Sequence, residues 1–120
     1  MSDIALAVIG GTGLYALADL EGAESIERDT PYGTPSGPVR IGGFAGQRIA
    51  FLARHGEAHS VPPHQVNYRA NLWLLKDLGV RRVVAVNAVG GITEAWGPQV
   101  VGIPDQLIDY TWGRISTFCE

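Results

Sequence analysis

Phe51-Leu52-Ala53-Arg54-His55-Gly56-Glu57-Ala58-His59 opens as an apolar, buried-type strand and ends in two cationic or protonatable side chains. Open α/β sheets bind their ligands at the carboxyl ends of strands. Arg54 stands at such an end and can grip an oxyanion through two parallel N–H bonds, with His55 as a further donor. Gly56 lets the chain turn sharply there. Phosphate is the guest this chemistry suits, and a structural ion pair is the alternative that the dipeptide alone leaves open.

Working back toward the N-terminus, Ile4-Ala5-Leu6-Ala7-Val8-Ile9 is apolar without alternation, the pattern of a strand covered on both faces. Gly10-Gly11-Thr12-Gly13 follows at once, and 14–20 reads as a short helix. Strand, glycine loop and helix start together make a nest of N–H groups suited to an anion. Gly11-x-Gly13-x-x-Ala16 also fits the relaxed dinucleotide fingerprint, which requires an acidic residue ending a second parallel strand. Glu27 and Asp29 lie in that region, but the turn-rich Thr30 to Pro38 follows them instead of a βαβ crossover. A simple tight turn is the third reading of the glycines.

Val39 to Gly43 and Gln47 to Ala53 read as an antiparallel hairpin turning at Phe44-Ala45-Gly46. Beyond the opening stretch, His55 and His59 have the spacing of a helical zinc pair. Gly56 and Pro62-Pro63 argue against a helix there, and no further ligands complete a metal site. The spacing predicts a helix over 66–78, with Val66, Ala70, Leu74 and Leu78 on one line, Tyr68, Leu72 and Leu75 on another, and Gly79 as its cap. Asn67, Arg69 and Asn71 read as hydrogen-bonding residues near its start. Arg82 to Val89 reads as a central strand, with Val83-Val84-Ala85-Val86 almost wholly β-branched, broken at Asn87 and followed by Gly90-Gly91. Val100 to Ile103 and Gln106 to Ile108 supply further strand material, while Asp105, Asp109 and Arg114 read as solvent or ion-pair residues.

Composition narrows the function classes. The 120 residues suit one domain with a real core. A formal net charge of −3 without a basic block argues against nucleic acid. A lone Cys119 cannot form an internal disulfide, and the apolar run from Ile4 to Ile9 is too short for a signal core or a membrane span. A cytoplasmic, non-membrane protein is the expectation.

Three segments thus converge on strand ends: Gly10 to Gly13, Arg54-His55 and Asn87 to Gly91. In this arrangement the sequence resembles the trimeric purine nucleoside phosphorylase superfamily, nearest its methylthioadenosine and methylthioinosine phosphorylase branch. The matching stretches are Ile9 to Leu14, Thr30-Pro31-Tyr32-Gly33-x-Pro35-Ser36, Ala53 to Gly56 with His59, Val66 to Trp73, Asn87 to Ile92 and Asp105 to Asp109. The resemblance implies an α/β fold with a central mixed, mostly parallel sheet flanked by helices. It implies phosphorolysis of a 5'-methylthio purine nucleoside, methylthioinosine first and methylthioadenosine second, to free purine and a ribose 1-phosphate derivative, a reaction of purine salvage.

Phosphate-binding roles pass by resemblance to Thr12, Arg54, His55, Asn87 and Ala88, and contacts along the purine and sugar to Val89 and Gly90. His59 is a further sugar-side candidate, and no residue is assigned as the catalytic acid. Inorganic phosphate is a co-substrate, with no metal or redox cofactor expected. Family subunits are about twice as long as this chain. Residues 1–120 are therefore expected to form a single partial domain, the N-terminal, phosphate-binding half, inactive alone and homotrimeric at full length. Against this stand a small dinucleotide-binding module and a non-catalytic fragment that only associates with other chains.

Overall fold

The computed structural model describes residues 3–11, 14 and 19–119. Five strands form one mixed sheet: β1 (Leu6–Gly10), β2 (Glu21–Ile26), β3 (Val39–Phe44), β4 (Gln47–Ala53) and β5 (Val83–Ala85), in the order β2-β3-β4-β1-β5. β1 runs parallel to both β4 and β5, whereas β2 with β3 and β3 with β4 are antiparallel. One α-helix, α1 (Tyr68–Asp77), is present among the described residues, with short 3-10 turns at Pro63–Gln65 and Glu94–Trp96. Most of the helix expected over 14–20 lies outside the described residues.

The unalternating apolar runs are explained by burial on both faces. On one face Ala7, Ile9, Val39, Ala50 and Leu52 pack with Leu74, Leu75 and Val80. On the other, Ile49, Phe51 and Ala53 of β4 pack with Leu20, and Leu6, Val8 and Leu14 lie against them. β4 therefore sits at the centre, apolar outward in both directions, as a covered strand must be.

The β3–β4 hairpin forms as expected and pairs Phe44 with Gln47 across Ala45 and Gly46. Helix α1 also forms where the spacing places it. Asn67 caps its start, accepting at Oδ1 from the Ala70 N–H at 3.1 Å. Gly79 closes its end at φ +88°, a left-handed value that costs glycine little. The expected second apolar line is divided: Leu75 is buried in the core, but Leu72 is exposed.

The turn-rich segment before β3 docks on α1. Asn67 Nδ2 donates to the Tyr32 carbonyl at 2.8 Å. The buried Asn71 accepts from the Ser36 N–H at 2.8 Å and donates to Ser36 Oγ at 3.0 Å. The Arg69 guanidinium lies 4.8 Å over the Tyr32 ring, which packs against Phe118 in a T-shaped pair with centroids 5.2 Å apart. The polar residues of the helix start are thus structural, as their spacing implied.

The structure corrects the sequence reading in three places. β2 was absent from it, because Glu21-Gly22-Ala23-Glu24-Ser25 has little strand propensity; pairing with β3 imposes the strand. The strand expected over 82–89 is only Val83–Ala85, and it lies at the sheet edge, where Val83 and Val84 are exposed. A β-branched run acquires a central place only when neighbours pair with both of its edges, and among the described residues β1 is its one partner. The segments 100–103 and 106–108 form no strand, and Val101, Ile103, Leu107 and Ile108 are exposed. An isolated apolar segment has no ladder to satisfy its backbone.

Asp109 serves a local turn. Its carboxyl is held below the usual range by hydrogen bonds from the Thr111 hydroxyl and N–H.

Replacing Asn71 with Ala in the full-length protein carrying this sequence is expected to destabilise it by about 1–3 kcal/mol, since it leaves the Ser36 amide unpaired against the helix. Chemical denaturation measures this, and a stability equal to wild type contradicts the docking role.

Candidate anion site at three parallel strand ends

Because β4, β1 and β5 are parallel neighbours, their carboxyl ends share one edge of the sheet. The register places Gly10 beside Ala53, and Ile9 beside Ala85. Two further hydrogen bonds hold the ends just past the ladder: Arg54 N–H donates to the Gly10 carbonyl and Val86 N–H to the Ile9 carbonyl, both at 2.9 Å. Arg54, Gly11 and Val86 are thereby brought side by side from three distant parts of the chain.

The Arg54 side chain crosses this edge. Its Nη1 donates to the Val86 carbonyl at 3.3 Å. Its Nη2 lies so close to Gly11 that a β-carbon at position 11 would collide with it. The same crowding occurs one residue earlier, where a β-carbon on Gly10 would lie 2.6 Å from the Phe51 ring. These two glycines are needed for close approach: one admits the Phe51 ring, the other the Arg54 guanidinium. With one donor on Val86, the planar fork of Arg54 keeps further N–H groups for an oxyanion.

His55 follows on a tightly bonded loop. Gly56 N–H donates to the Ala53 carbonyl, and His59 N–H to the Gly56 carbonyl, both at 3.0 Å. Val61 N–H donates to the His55 carbonyl at 2.9 Å, and His55 Nδ1–H donates back to the Val61 carbonyl at 2.9 Å. The His55 and His59 rings stack with centroids 5.7 Å apart and an interplanar angle of 16°. The loop is tied to β3 by a 2.5 Å ion pair in which Arg40 Nε donates to Glu57 Oε1; that hydrogen bond, and then the Glu57 charge, raises the Arg40 pKa. His55 and His59 sit on a turn, not on one helix face, and among the described residues no group of three or more His, Cys, Asp or Glu side chains is placed to hold a metal ion.

The structure thus brings Arg54, His55 and the start of the Asn87 segment to one sheet edge. Asn87 directly follows the carbonyl that Arg54 engages, and Ala88 follows it. Thr12, together with Gly13, lies outside the described residues. Val89 and Gly90 are in an exposed stretch, with Val89 84% accessible and open space around Gly90. Two contributors escape a reading based on side chains, the carbonyls of Val86 and Val61. Backbone acceptors leave no mark on residue type, so only the register and the loop's hydrogen bonds disclose them.

The dinucleotide alternative fails on topology. That fingerprint needs a second parallel strand ending in an acid, and the strand following the glycine loop, β2, is an exposed antiparallel edge strand.

Comparison with known proteins agrees with this geometry. The chain is 66% identical over 119 residues to a probable S-methyl-5'-thioinosine phosphorylase of Xanthomonas campestris, spanning 99% of this chain and 48% of that one. It is 50% identical over 115 residues to an S-methyl-5'-thioadenosine phosphorylase of Hyperthermus butylicus, covering 96% of this chain and 42% of the relative. The chain therefore spans about half the length of the curated relatives it matches. Among solved structures, methylthioadenosine phosphorylase from Schistosoma mansoni in complex with adenine superposes with a TM-score of 0.86 at 37% identity, over 93% of this chain and 39% of that one. The α/β reading with its mixed sheet agrees with that neighbour. The family pattern of the phosphorylase superfamily matches residues 5–120, and the chain belongs to that superfamily.

Proposed function

We propose that this chain forms the phosphate-binding half of an enzyme that cleaves 5'-methylthio purine nucleosides with inorganic phosphate, methylthioinosine before methylthioadenosine. The observation that carries the reading is the Arg54 guanidinium laid across the ends of β1 and β5, against Gly11 and the Val86 carbonyl. The order of preference between the two nucleosides follows the relatives: the more identical one bears the thioinosine name, the less identical one the thioadenosine name.

In this reading Arg54, His55 and the Asn87-Ala88 backbone hold the phosphate together with Thr12, and Val89 and Gly90 run along the nucleoside. A phosphate oxygen bonds to the anomeric carbon as the glycosidic bond breaks. The bonding pair leaves with the purine, which takes up a proton, and the products are the free base and 5-methylthio-ribose 1-phosphate. Charge builds on the sugar as that bond stretches, so catalysis rests on holding a dianion in line beneath it. No metal or redox group enters these steps.

The remainder of the site would come from residues beyond those that this chain shares with its relatives. A purely associative role for the chain has less support, since it leaves the Gly11–Arg54 fit without a purpose. Homotrimerisation belongs to the same reading. Leu72, exposed beside an open cleft lined by Lys76, Arg81 and Val83, is a candidate contact. No described helix is long and apolar enough to cross a membrane.

In the full-length protein carrying this sequence, Arg54→Ala is expected to lower kcat/KM for phosphate at least about tenfold, the value of one charge-assisted hydrogen bond. Gly11→Val should act in the same direction by displacing the guanidinium. Base release from methylthioinosine, followed against phosphate concentration, measures both, and unchanged kinetics in Arg54→Ala remove it from the site. Sedimentation is expected to show a trimer at micromolar concentration; a fully active monomer excludes that assembly.

A further inference from the structure

We propose that His55 makes this anion site selective for an oxyanion that carries a proton, so that it takes hydrogen phosphate and discriminates against sulfate. The inference rests on the reading that Arg54 and His55 hold the phosphate, and it concerns which atom of His55 is left to do so. Nδ1 lies 2.9 Å from the Val61 carbonyl oxygen. A carbonyl oxygen only accepts, so Nδ1 must carry the hydrogen. The tie is reciprocal, because Val61 N–H donates to the His55 carbonyl at 2.9 Å. One residue thereby fixes both the backbone and the imidazole of His55, and the stacked His59 ring restrains its plane.

A neutral ring in this tautomer has one remaining polar atom, Nε2, and it is a lone pair. Next to an oxyanion this atom cannot donate. It can accept from P–OH, and hydrogen phosphate keeps such a proton throughout the neutral range. Sulfate has none, so its oxygen would face the Nε2 lone pair unpaired. A polar group built to receive a substrate O–H penalises the analogue that lacks it. Arg54 does not supply this distinction, since its donors serve either anion equally. The neighbouring acid, Glu57, is engaged by Arg40, and no carboxylate of the loop is needed for the effect.

The test uses the full-length protein carrying this sequence, phosphate-dependent base release from methylthioinosine, and inorganic sulfate as competitor. At about pH 8.5, sulfate is expected to bind at least about tenfold more weakly than phosphate. His55→Gln places an amide NH2 close to the position of Nε2, and should tighten sulfate about tenfold and close the gap. Equal sulfate and phosphate affinity in the wild type, or an unchanged gap in His55→Gln, overturns the inference while leaving phosphorolysis standing. Base release independent of phosphate overturns both. Should the variant not fold, the 15N shifts of the wild-type imidazole decide: a ring protonated at Nδ1 supports the proposal, and a ring protonated at Nε2 overturns it.

Discussion

The parallel pairing of β4, β1 and β5 is the constraint on which the rest depends. Parallel strands end together, so three segments separated by long stretches of sequence deliver Gly11, Arg54 and Val86 to a single edge. The two hydrogen bonds beyond the ladder, Arg54 N–H to Gly10 and Val86 N–H to Ile9, extend that alignment past the last paired residues. A one-residue slip of β4 against β1 would turn the Arg54 side chain to the opposite face of the sheet. The double-sided core of β4 resists such a slip, since Ile49, Phe51 and Ala53 fill one layer and Ala50 and Leu52 the other.

The antiparallel half of the sheet and α1 support this edge from behind. β3 carries Arg40 to Glu57 and so fastens the loop that bears His55. α1 anchors the segment before β3 through Asn67 and Asn71, and that segment abuts the same loop, with Gly37 facing the backbone of Gly56 and Glu57. Surface ion pairs contribute little to stability individually, so the value of Arg40–Glu57 lies in position. The site is thus cationic at one point of a chain whose net charge is −3, which favours a small anion bound locally over a large polyanion bound by field.

Burial is distributed unevenly along the chain. Apart from Phe44 and Leu72, the exposed large apolar residues among those described all lie from Val83 onward, and Ile92, Ile103 and Trp112 are above 90% accessible. Large apolar side chains exposed in this number are unusual for a surface that meets only water. The family pattern nevertheless continues through this region to residue 120, so its sequence matches the phosphorylase superfamily even where it is not packed.

The sequence by itself determined β1, the hairpin of β3 and β4, helix α1 with its Gly79 cap, and the convergence of Arg54-His55 with the Asn87 segment; that Asn67 caps the helix start came from the structure. Each of these is written in local terms: an unbroken apolar run, a glycine turn, a four-residue repeat, a polar residue closing a strand. It also carried the family, because motif order survives without any knowledge of contacts. Tertiary structure alone decided what depends on neighbours. β2 is a strand because β3 pairs with it, despite its glutamates. Val83–Ala85 is a short edge strand because β1 is its only partner among the described residues, despite its β-branched side chains. Val100 to Ile108 forms no strand because no ladder receives it. The polar roles of Val86 and Val61 come from their carbonyl groups, which every residue possesses and only a fold can aim.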